Sequence, residues 1–566
     1  MATTVSDYLL TRLKQCGLEH IFAVPGDYAS PFLEALDNDK NITRIPNINE
    51  LGSGYAADGY ARYKGIGAAC VQYGVGTFSL LNCAAGSFVE RCPVVIISAS
   101  PKTSDRALEE NEQILFHHST GDLLADQIVF ENVTVASEII YDAENAPAQI
   151  DDAITAMITY KRPIYIEVLN NVWSLPCAAP KGRLAPIELA SDPDSLEAAV
   201  EAVWKLIQSA KLPVFWLGVE IQRYGLQEIA QKIIDASGIY FTTTSVGKTV
   251  LDESQKQFIG TYAGPASPFI TSAVMNKSDC IIALGAIITD DYLNIMKTSF
   301  GKMTVVTDEE TRVGYTYYRQ VVLKDFLEKL LEKFQSQKRF PHKYALPKVA
   351  KEKSLQIKAT DSLSYTVFYE ELSKFLKKEN LLNDISLILG ESTSLYVFGN
   401  LFGMPPNSFV AQAAWGSLGH ETGCALGVEL GSGKRPFVVA GDGGFRMVCQ
   451  ELSSLAYHKS NAVVFVMSNE AYAIEQAFVD INAFKPKGSF APFDILPSWD
   501  YIALAKAFGA KGFRAETVKD LRTIMKKVKD LKDCPALVEI VIPQKDLAPQ
   551  LERLAAVPPP LQKYRP

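Results

Sequence analysis

The chain has 566 residues, of which 48% are hydrophobic and 21% are charged, and its formal net charge is −8. This length is too great for one hydrophobic core, so three domains of roughly 150–200 residues each are expected. The acidic balance argues against a nucleic-acid partner, and the sequence has no apolar run of about 18 residues, which argues against a membrane partner.

The nine cysteines are scattered and form no CxxC pair, so a zinc site is not expected. Most of them stand among apolar residues, where a reduced thiol behaves as a small hydrophobe. The first residues contain no basic segment followed by an apolar stretch, which would be typical of a secretory signal. These features predict a reducing, cytoplasmic location.

Residues 1–185 alternate apolar runs with helical patterns, which is typical of a doubly wound parallel sheet. Strands are predicted at 20–24, 44–47, 68–73, 93–99 and 163–168. Helices are predicted at 5–16, 30–36 and 50–63, and an Ala/Leu-rich helix follows Gly76. We expect this block to form the first domain.

A second alternating block is expected to form a domain of residues 190–340. Its strands are predicted at 214–217, 239–242, 280–284 and 303–306, and an amphipathic helix at 326–331 closes it. Residues 335–362 are basic and polar, which is typical of a linker. A third domain is expected at 355–566, with a proline-rich tail that is predicted to be helical at 549–556.

The most informative stretch is residues 436–475 of the third domain. Gly441-Asp442-Gly443-Gly444 follows an apolar strand at 436–440, and Asn469 follows a second one at 462–467. Helical spacing predicts a helix at 446–458 between them. A right-handed crossover would make the two strands parallel neighbours, so that Asp442 and Asn469 lie at adjacent carboxyl ends.

Asp442 and Asn469 offer one carboxylate and one amide oxygen, 27 positions apart. Mg²⁺ takes oxygen ligands and often shares phosphate oxygens, and glycines allow a diphosphate to approach backbone N–H groups. A glycine-rich turn with a capping aspartate would also explain Asp442 taken alone. Asn469 at the end of the next strand favours a metal–diphosphate site.

Four polar residues of the first domain are candidates for proton transfer. Asp27 could also be a helix N-cap, and Glu50 could simply be an acid that favours the dipole at a helix start. His117 and His118 are two of only six histidines. Adjacent imidazoles rarely both find buried partners, so this pair favours a functional role over core packing.

These segments together resemble the thiamine diphosphate-dependent 2-oxo acid decarboxylases, in the branch of pyruvate and indolepyruvate decarboxylases. The resemblance is carried by VPGDY at 24–28, NELGSGYAADGYAR at 49–62, YGVGTFSLLNCAAGSFVERCPVV at 73–95, WGSLG at 415–419, the paired histidines and the GDG-to-Asn spacing. It covers nearly the whole chain. It implies three doubly wound parallel-sheet α/β domains, in the order pyrimidine-binding, central and diphosphate-binding.

The resemblance implies thiamine diphosphate and Mg²⁺ as cofactors. The family's metal ligands correspond to Asp442, Asn469 and the backbone carbonyl of Ala471, where glycine is usual. Leu418 corresponds to the apolar wedge that bends the cofactor, and the Gly416 carbonyl to the group that meets its exocyclic amine. The implied cofactor-binding residues are Glu50, Thr393, Gly416, Leu418, Asp442, Gly443, Gly444, Asn469, Ala471, Tyr472 and Ile474.

Catalytic roles are implied in the same way. Glu50 corresponds to the acid that hydrogen-bonds the aminopyrimidine ring, and Asp27, His117 and His118 correspond to a proton-handling cluster. Glu475 corresponds to a second active-site carboxyl group. The implied reaction is the non-oxidative decarboxylation of a 2-oxo acid to an aldehyde and carbon dioxide, with pyruvate or a larger aromatic or branched 2-oxo acid as the substrate.

In the family, the pyrimidine-binding and diphosphate-binding domains face each other across a subunit interface. The resemblance therefore implies a homodimer as the minimum active unit, and a homotetramer as a common assembly. Two alternatives stay open at this point. One is an acetohydroxyacid synthase-like carboligase, against which the histidine pair and Glu475 argue; the other is an inactive nucleotide-binding relative, against which the complete acid–base set argues.

Substrate size is the least determined property. Residues 391–396 and Ile474 are expected to line the cofactor and substrate pocket. The family often has a bulky aromatic residue near Tyr396, and this tail lacks a tryptophan that narrows some pyruvate-specific members. Both points favour room for a larger substrate such as phenylpyruvate or indolepyruvate, although Tyr396 could equally be a core residue.

Overall fold

The structure, a computed structural model, describes residues 3–350 and 355–556. Positions 351–354 of the predicted linker and 557–566 of the predicted tail lie outside the described residues. The chain divides into two compact units. The first consists of Met1–Glu188, Trp415–Pro436 and Val448–Ala462, and the second consists of Leu189–Ala414, Phe437–Met447 and Val463–Pro566.

The first unit contains a six-stranded sheet in which every pairing is parallel. Its strands are β1 (His20–Ala23), β2 (Thr43–Pro46), β3 (Gly67–Gln72), β4 (Val94–Ser100), β5 (Ser137–Ile140) and β6 (Ile164–Leu169), in the order β2-β1-β3-β4-β6-β5. The accompanying helices are α1 (Val5–Gln15), α2 (Ser30–Asn38), α3 (Glu50–Lys64), α4 (Val75–Val89), α5 (Thr103–Glu112), α6 (Ala125–Phe130) and α7 (Ala146–Tyr160). Strands β3, β4 and β6 are buried along their whole length, as strands covered on both faces must be.

The second unit contains a seven-stranded sheet in the order β13-β12-β11-β10-β7-β8-β9. Its strands are β7 (Pro213–Leu217), β8 (Tyr240–Thr243), β9 (Phe258–Thr261), β10 (Cys280–Leu284), β11 (Met303–Val306), β12 (Thr311–Val313) and β13 (Thr316–Tyr318). Its helices are α8 (Pro193–Ser209), α9 (Glu220–Arg223), α10 (Gln227–Ser237), α11 (Phe269–Lys277), α12 (Leu293–Ser299) and α13 (Leu323–Gln335). The strands β12 and β13 are antiparallel and form an edge hairpin.

The second unit also contains a six-stranded sheet in the order β15-β14-β16-β17-β19-β18. Its strands are β14 (Ile385–Leu389), β15 (Phe409–Ala411), β16 (Arg435–Gly441), β17 (Val463–Ser468), β18 (Lys511–Ala515) and β19 (Ala536–Val541). The helices from here on are α14 (Tyr365–Lys378), α15 (Thr393–Phe398), α16 (His420–Gly423), α17 (Ala425–Ser432), α18 (Asp442–Met447), α19 (Glu451–Tyr457), α20 (Ala473–Asp480), α21 (Tyr501–Ala507), α22 (Val518–Lys529) and α23 (Pro549–Ala555). The pairing of β16 with β17 is parallel, so Asp442 and Asn469 follow neighbouring strands.

Helices α16, α17 and α19 belong to the first unit, where α17 packs on α3. Glycines allow this close approach. A Cβ on Gly427 of α17 would lie 1.7 Å from the Ala56 carbonyl oxygen, and a Cβ on Gly59 of α3 would lie 2.5 Å from the Cys424 carbonyl oxygen. The helix that begins with Glu50 is therefore held along its length by a segment from much later in the chain.

The predicted fold class, three doubly wound α/β domains, is confirmed. The predicted single helix at 446–458 is wrong. A helix begins already at Asp442 and ends at Met447, and a second one begins at Glu451. The N–H groups of Glu451, Leu452 and Ser453 bond to carbonyls three residues back, which tightens the turn between the two helices. The domain boundaries at 185, 190–340 and 355 stay a prediction.

Candidate active site

Glu50 is the first residue of α3, and its neighbours fix the start of that helix. The Asn49 side chain accepts a hydrogen bond from the Gly52 N–H at 2.8 Å, and its Nδ2 donates to Glu451 Oε1 at 2.7 Å. A Cβ on Gly52 would lie 2.0 Å from the same Glu451 oxygen, so only glycine leaves room for this carboxyl group. Burial raises the pKa of Glu451 to about 7, whereas Glu50 itself is only half-buried.

His117 and His118 lie in a loop beyond α5, and both imidazoles are exposed. Their ring centroids are 6.3 Å apart. The Tyr73 hydroxyl donates to the His117 carbonyl at 2.7 Å. The next residue, Gly74, has a φ of 62°, and a Cβ there would lie 2.1 Å from the His118 carbonyl oxygen. The backbone of the histidine loop is thus fixed to the end of β3, while the two side chains stay accessible.

Asp27 lies at the same edge of the sheet as the histidine loop. Its Oδ1 accepts a hydrogen bond from Nε2 of Gln72, the last residue of β3, at 2.8 Å. The N-cap of α2 is Ala29, so the Asp27 side chain does not cap that helix. A Cβ on Gly76 would lie 3.5 Å from Glu50 Cγ. The carboxyl ends of β1, β2 and β3 therefore bring Asp27, Glu50 and the two histidines to one edge of the first sheet.

Gly416 and Leu418 lie in a loop that leads into α16; we use the name 415–421 loop for this loop together with the first two residues of α16. Gly416 and Gly419 have φ angles of 73° and 93°, a region that favours glycine. Between them Leu418 keeps a partly exposed side chain. An apolar side chain that is presented in this way can contact a ligand without first leaving a packed core.

Asp442 follows β16 and is nearly fully buried. Its Oδ2 accepts the Glu470 N–H at 2.7 Å, and its Oδ1 accepts the Gly443 N–H at 3.0 Å. Burial raises the pKa of Asp442 to about 6, and these hydrogen bonds oppose the rise. A buried carboxylate with so little compensation is suited to a cation.

Asn469 completes a group of converging oxygens. One terminal atom of its amide lies 3.2 Å from Asp442 Oδ1 and 3.1 Å from the Ala471 carbonyl oxygen. With the amide nitrogen there, Asn469 donates to both oxygens; with the amide oxygen there, three oxygens face one another. One carboxylate, one amide and one carbonyl oxygen form a set that a hard divalent cation prefers, so these residues fit Mg²⁺.

Among residues 3–350 and 355–556, no three or more His, Cys, Asp or Glu side chains are grouped so that they could hold a metal ion. The group at Asp442 has only one charged side chain and therefore differs from such clusters. A site of this kind leaves part of the coordination shell to water or phosphate.

The remaining expected residues of the second unit, except Thr393, lie close to this group in the chain. A Cβ on Gly443 would lie 2.3 Å from the Tyr472 ring, so glycine allows the ring to pack against the start of α18. Ile474 and Glu475 lie in the first turn of α20, where Glu475 is exposed. Gly444 is buried in α18, and Thr393 is the buried first residue of α15.

Tyr396 is a core residue. Its ring is buried, and its hydroxyl bonds to Asp291 Oδ1 at 3.0 Å and to Glu391 Oε1 at 3.3 Å. Burial raises the pKa of Asp291 to about 6. The hydroxyl therefore connects α15 to the segment after β10.

Three residues around the site were missed by sequence reasoning. Glu451 contacts the cap of α3, Tyr73 holds the histidine loop, and His420 pairs with Asp58 of α3. Each of these three residues lies within or beside a motif from which other residues were assigned to the site. For Glu451 and His420 the available signal was an ionisable side chain next to a glycine-rich motif, because such a residue needs a partner when it is buried. Tyr73 gave no such signal.

Comparisons with known proteins agree along the chain. Residues 3–128 match the family described as thiamine pyrophosphate enzyme, N-terminal TPP binding domain; residues 200–331 match the central domain, and residues 393–540 the C-terminal TPP binding domain. A probable pyruvate decarboxylase of Schizosaccharomyces pombe is 30% identical over 97% of this chain and 95% of its own length. The chain belongs to the thiamine diphosphate-dependent 2-oxo acid decarboxylase family.

Other relatives in the family are similarly distant. The pyruvate decarboxylase of Kluyveromyces lactis is 28% identical over 98% of both chains, and isozyme 3 of Saccharomyces cerevisiae is 30% identical over 90% of this chain and 89% of its own. The protein is therefore a thiamine diphosphate-dependent decarboxylase that acts on a 2-oxo acid, as the motifs predicted. None of the helices in the described ranges is both long and apolar enough to cross a membrane.

Proposed function

We propose that this decarboxylase binds thiamine diphosphate through Mg²⁺ and converts pyruvate, or a larger aromatic or branched 2-oxo acid, to an aldehyde and carbon dioxide. The observation that carries the proposal is the convergence of Asp442, Asn469 and Ala471 oxygens at the ends of two neighbouring strands. It supports a metal-bound diphosphate in the place where open α/β sheets bind ligands.

The diphosphate end is assigned to the second unit. Asp442, Asn469 and the Ala471 carbonyl would hold Mg²⁺, and Gly443 and Gly444, which have no side chains, would let the diphosphate approach the start of α18. Thr393, Tyr472 and Ile474 are assigned to the same end of the cofactor or its thiazolium ring. Support comes from their positions at the starts of α15 and α20, beside the carboxyl ends of β14 and β17.

The pyrimidine end is assigned to the first unit. Glu50 would hydrogen-bond the aminopyrimidine ring and share a proton with it, which its accessible carboxylate at the start of α3 permits. The Gly416 carbonyl would accept from the exocyclic amine, and the Leu418 side chain would press the two rings together. Holding reacting groups close in this way can lower the activation free energy by several kcal/mol. The most that proximity supplies is roughly 7–11 kcal/mol.

Proton transfer is assigned to Asp27, His117, His118 and Glu475. Bound thiamine diphosphate supplies the carbon nucleophile and accepts the electrons released when carbon dioxide leaves. The protein must exclude charge near the departing carboxylate and then deliver a proton to the product carbon. Exposed carboxyl and imidazole groups are suited to this, and each such transfer typically contributes about 10²–10⁴-fold.

The active assembly is proposed to be a homodimer at least, and a homotetramer as the expected larger form. Apolar side chains are exposed beside both groups of site residues. In the first unit Val75 is 53% and Leu115 is 65% exposed; in the second unit Val479 is 58% and Phe493 is 71% exposed. Apolar surface around a candidate site is typical of a face that another chain covers.

A cytoplasmic location is also proposed. All nine cysteines are free thiols, and burial raises the pKa of the Cys70 and Cys280 thiols to about 12. Protected thiols without disulfides are typical of proteins in a reducing compartment.

The test is an assay of the purified protein with thiamine diphosphate and Mg²⁺ against pyruvate, phenylpyruvate, indolepyruvate and a branched 2-oxo acid. Carbon dioxide and aldehyde released in equal amounts, and only with both cofactors, are expected. A 2-hydroxy-3-oxo acid or a 2-hydroxy ketone in place of the aldehyde would instead indicate a carboligase. No turnover of any substrate by a protein that binds the cofactor would contradict the proposal.

A further inference from the structure

A buried group of charges lies behind the 415–421 loop. It consists of Asp58 and Arg62 on α3, Glu90 after α4, and His420 at the start of α16. Arg62 donates to Asp58 at 2.7 Å and to Glu90 at 2.8 Å, and His420 Nε2 lies 2.7 Å from Asp58 Oδ2. All four side chains are buried, and all belong to the first unit.

A buried charge group of this kind adds little net stability to a fold. Buried ions lose their hydration, and their attraction for one another often does no more than offset that loss. Burial would raise the pKa of Asp58, but Arg62 and the His420 hydrogen bond outweigh it and hold the pKa well below the usual range. Asp58 therefore stays ionised, with Arg62, His420 and the Ser87 hydroxyl as its partners.

The charge group contacts both ends of the loop. At one end the Trp415 N–H donates to Glu90 Oε1 at 3.3 Å; at the other end His420 pairs with Asp58. Between these contacts Ser417 Oγ accepts from Asn82 at 2.7 Å. Gly416 and Leu418, the two residues assigned to the cofactor, thus lie in a short loop that is fixed on both sides.

The residues directly after Leu418 add a second restraint. The Gly419 N–H donates to Glu421 Oε2 at 3.0 Å, and burial raises the pKa of Glu421 to about 7. The His420 ring also lies edge-on to the Tyr55 ring at 5.3 Å. Within the described part of the chain the Nδ1 atom of His420 has no hydrogen-bond partner, so the imidazole ring makes its single hydrogen bond to Asp58.

We propose that His420 is a positioning residue for the cofactor: its hydrogen bond to Asp58 fixes the Gly416 carbonyl and the Leu418 side chain relative to α3. This inference rests on the proposed function, because that function makes Gly416 and Leu418 cofactor contacts. A loop that is displaced by even about 1 Å would hold the cofactor less well and align it less well.

The test compares His420→Phe, which keeps a ring but removes the hydrogen bond, with His420→Gln, whose amide can still donate to Asp58. The control is His20→Phe, since His20 pairs with Tyr60 of the same helix at 3.3 Å but lies at the start of β1. Thiamine diphosphate affinity in the presence of Mg²⁺ is measured by calorimetry, and the melting temperature of the cofactor-free protein is measured separately.

We expect His420→Phe to raise the Kd for thiamine diphosphate by about tenfold or more and to lower kcat at saturating cofactor. His420→Gln should recover most of the affinity, and His20→Phe should leave it unchanged. A Kd for His420→Phe within about twofold of the unsubstituted protein overturns the proposal. So does a loss of affinity that His420→Gln does not recover, because that pattern indicates a general packing role.

Leu418→Ala separates this proposal from the proposed function. If Leu418→Ala weakens cofactor binding and His420→Phe does not, only the positioning role fails. If neither weakens it, the loop does not contact the cofactor and the assignment of Gly416 and Leu418 fails with it. Should His420→Phe not fold, His420→Asn is compared with His420→Gln; the shorter amide cannot reach Asp58, so equal Kd values overturn the proposal.

Discussion

The two groups of site residues are built in opposite ways. At the edge of the first sheet, the side chains of Asp27, His117 and His118 are exposed. The contacts that hold this group are made mostly by its backbone or by adjacent residues such as Tyr73. At the ends of β16 and β17, Asp442 and Asn469 are buried and contact each other directly. The first arrangement keeps ionisable groups accessible, and the second keeps water away from oxygens.

This difference follows from the chemistry that each group is assigned. A group that transfers protons must change its charge, and a solvated position lowers the free-energy cost of that change. A metal ligand must keep its charge and geometry, which burial and fixed backbone donors favour. We therefore expect substitutions in the buried group to affect binding, and substitutions in the exposed group to affect turnover.

The largest effect is expected from Asp442→Ala. Removal of the one charged metal ligand should abolish Mg²⁺-dependent binding of thiamine diphosphate, with a loss of affinity of about 10³-fold, or about 4 kcal/mol. Calorimetric titration with and without a chelator measures this. Glu470→Gln is the matched control, since the exposed Glu470 meets Asp442 through its backbone N–H alone. A variant that still saturates with cofactor in chelator would refute the metal assignment.

Glu475→Gln should separate turnover from binding. The exposed carboxyl group in the first turn of α20 is assigned to proton transfer, so its loss should lower aldehyde formation by about 10²–10⁴-fold. The Kd for thiamine diphosphate should stay close to that of the unsubstituted protein. Unchanged aldehyde formation would remove Glu475 from the mechanism, and a parallel loss of cofactor affinity would place it with the buried group instead.

Glu451→Gln should change how stability depends on pH. The folded protein keeps the Glu451 proton up to about pH 7, whereas its ordinary pKa is 4.5. Binding of this proton stabilises the folded state, and the stabilisation is fully present below about pH 4.5. It is lost as the pH rises to about 7. Glutamine does not titrate, so the variant does not lose stability in this way. Its free energy of unfolding, relative to that of the unsubstituted protein, should therefore rise by up to about 3 kcal/mol between about pH 5 and pH 8.

Urea unfolding of the cofactor-free protein at several pH values measures this difference. Glutamine can still accept the Asn49 hydrogen bond, so the cap of α3 is retained. Glu131→Gln on the exposed surface is the control, and it should show no such trend. A constant difference between Glu451→Gln and the unsubstituted protein at all pH values would mean that Glu451 is ionised in the folded state.

The smallest effect is expected from Tyr73→Phe. Loss of the hydroxyl removes the hydrogen bond to the His117 carbonyl, which should loosen the histidine loop and lower kcat by about three- to tenfold, or about 1 kcal/mol. Cofactor affinity should not change. Tyr457→Phe, at a 73% exposed position, is the control. A change in the Kd for thiamine diphosphate without a change in kcat would mean that the histidine loop contributes to cofactor binding and not to turnover.

The elements that carry the site were largely predictable, because apolar periodicity is a local property. The runs at 436–440 and 462–467 predicted β16 and β17 to within one residue at each end. The turn at 448–450 and the hairpin of β12 and β13 were not predictable in this way. The first keeps helical spacing on both sides, and the second is made of three-residue strands that are too short to show a period.

The contacts that position the site were beyond sequence reasoning. Asn49 and Glu451 are 402 positions apart, and Asp58 and His420 are 362 positions apart. No local pattern relates such residues, because their approach depends on how α17 packs on α3. Sequence motifs thus indicated the residues assigned to chemistry, while the partners that fix them became visible only in the folded chain.

The Asn469 amide has a consequence for how the apoenzyme is loaded. With its nitrogen turned inward, the side chain links Asp442 to the Ala471 carbonyl and occupies both oxygens; a half-turn about its last bond exposes an oxygen in the same place. A cation held there needs the second orientation, because the amide nitrogen cannot act as a metal ligand. Metal binding and the hydrogen bonds from Asn469 to Asp442 and Ala471 therefore exclude each other.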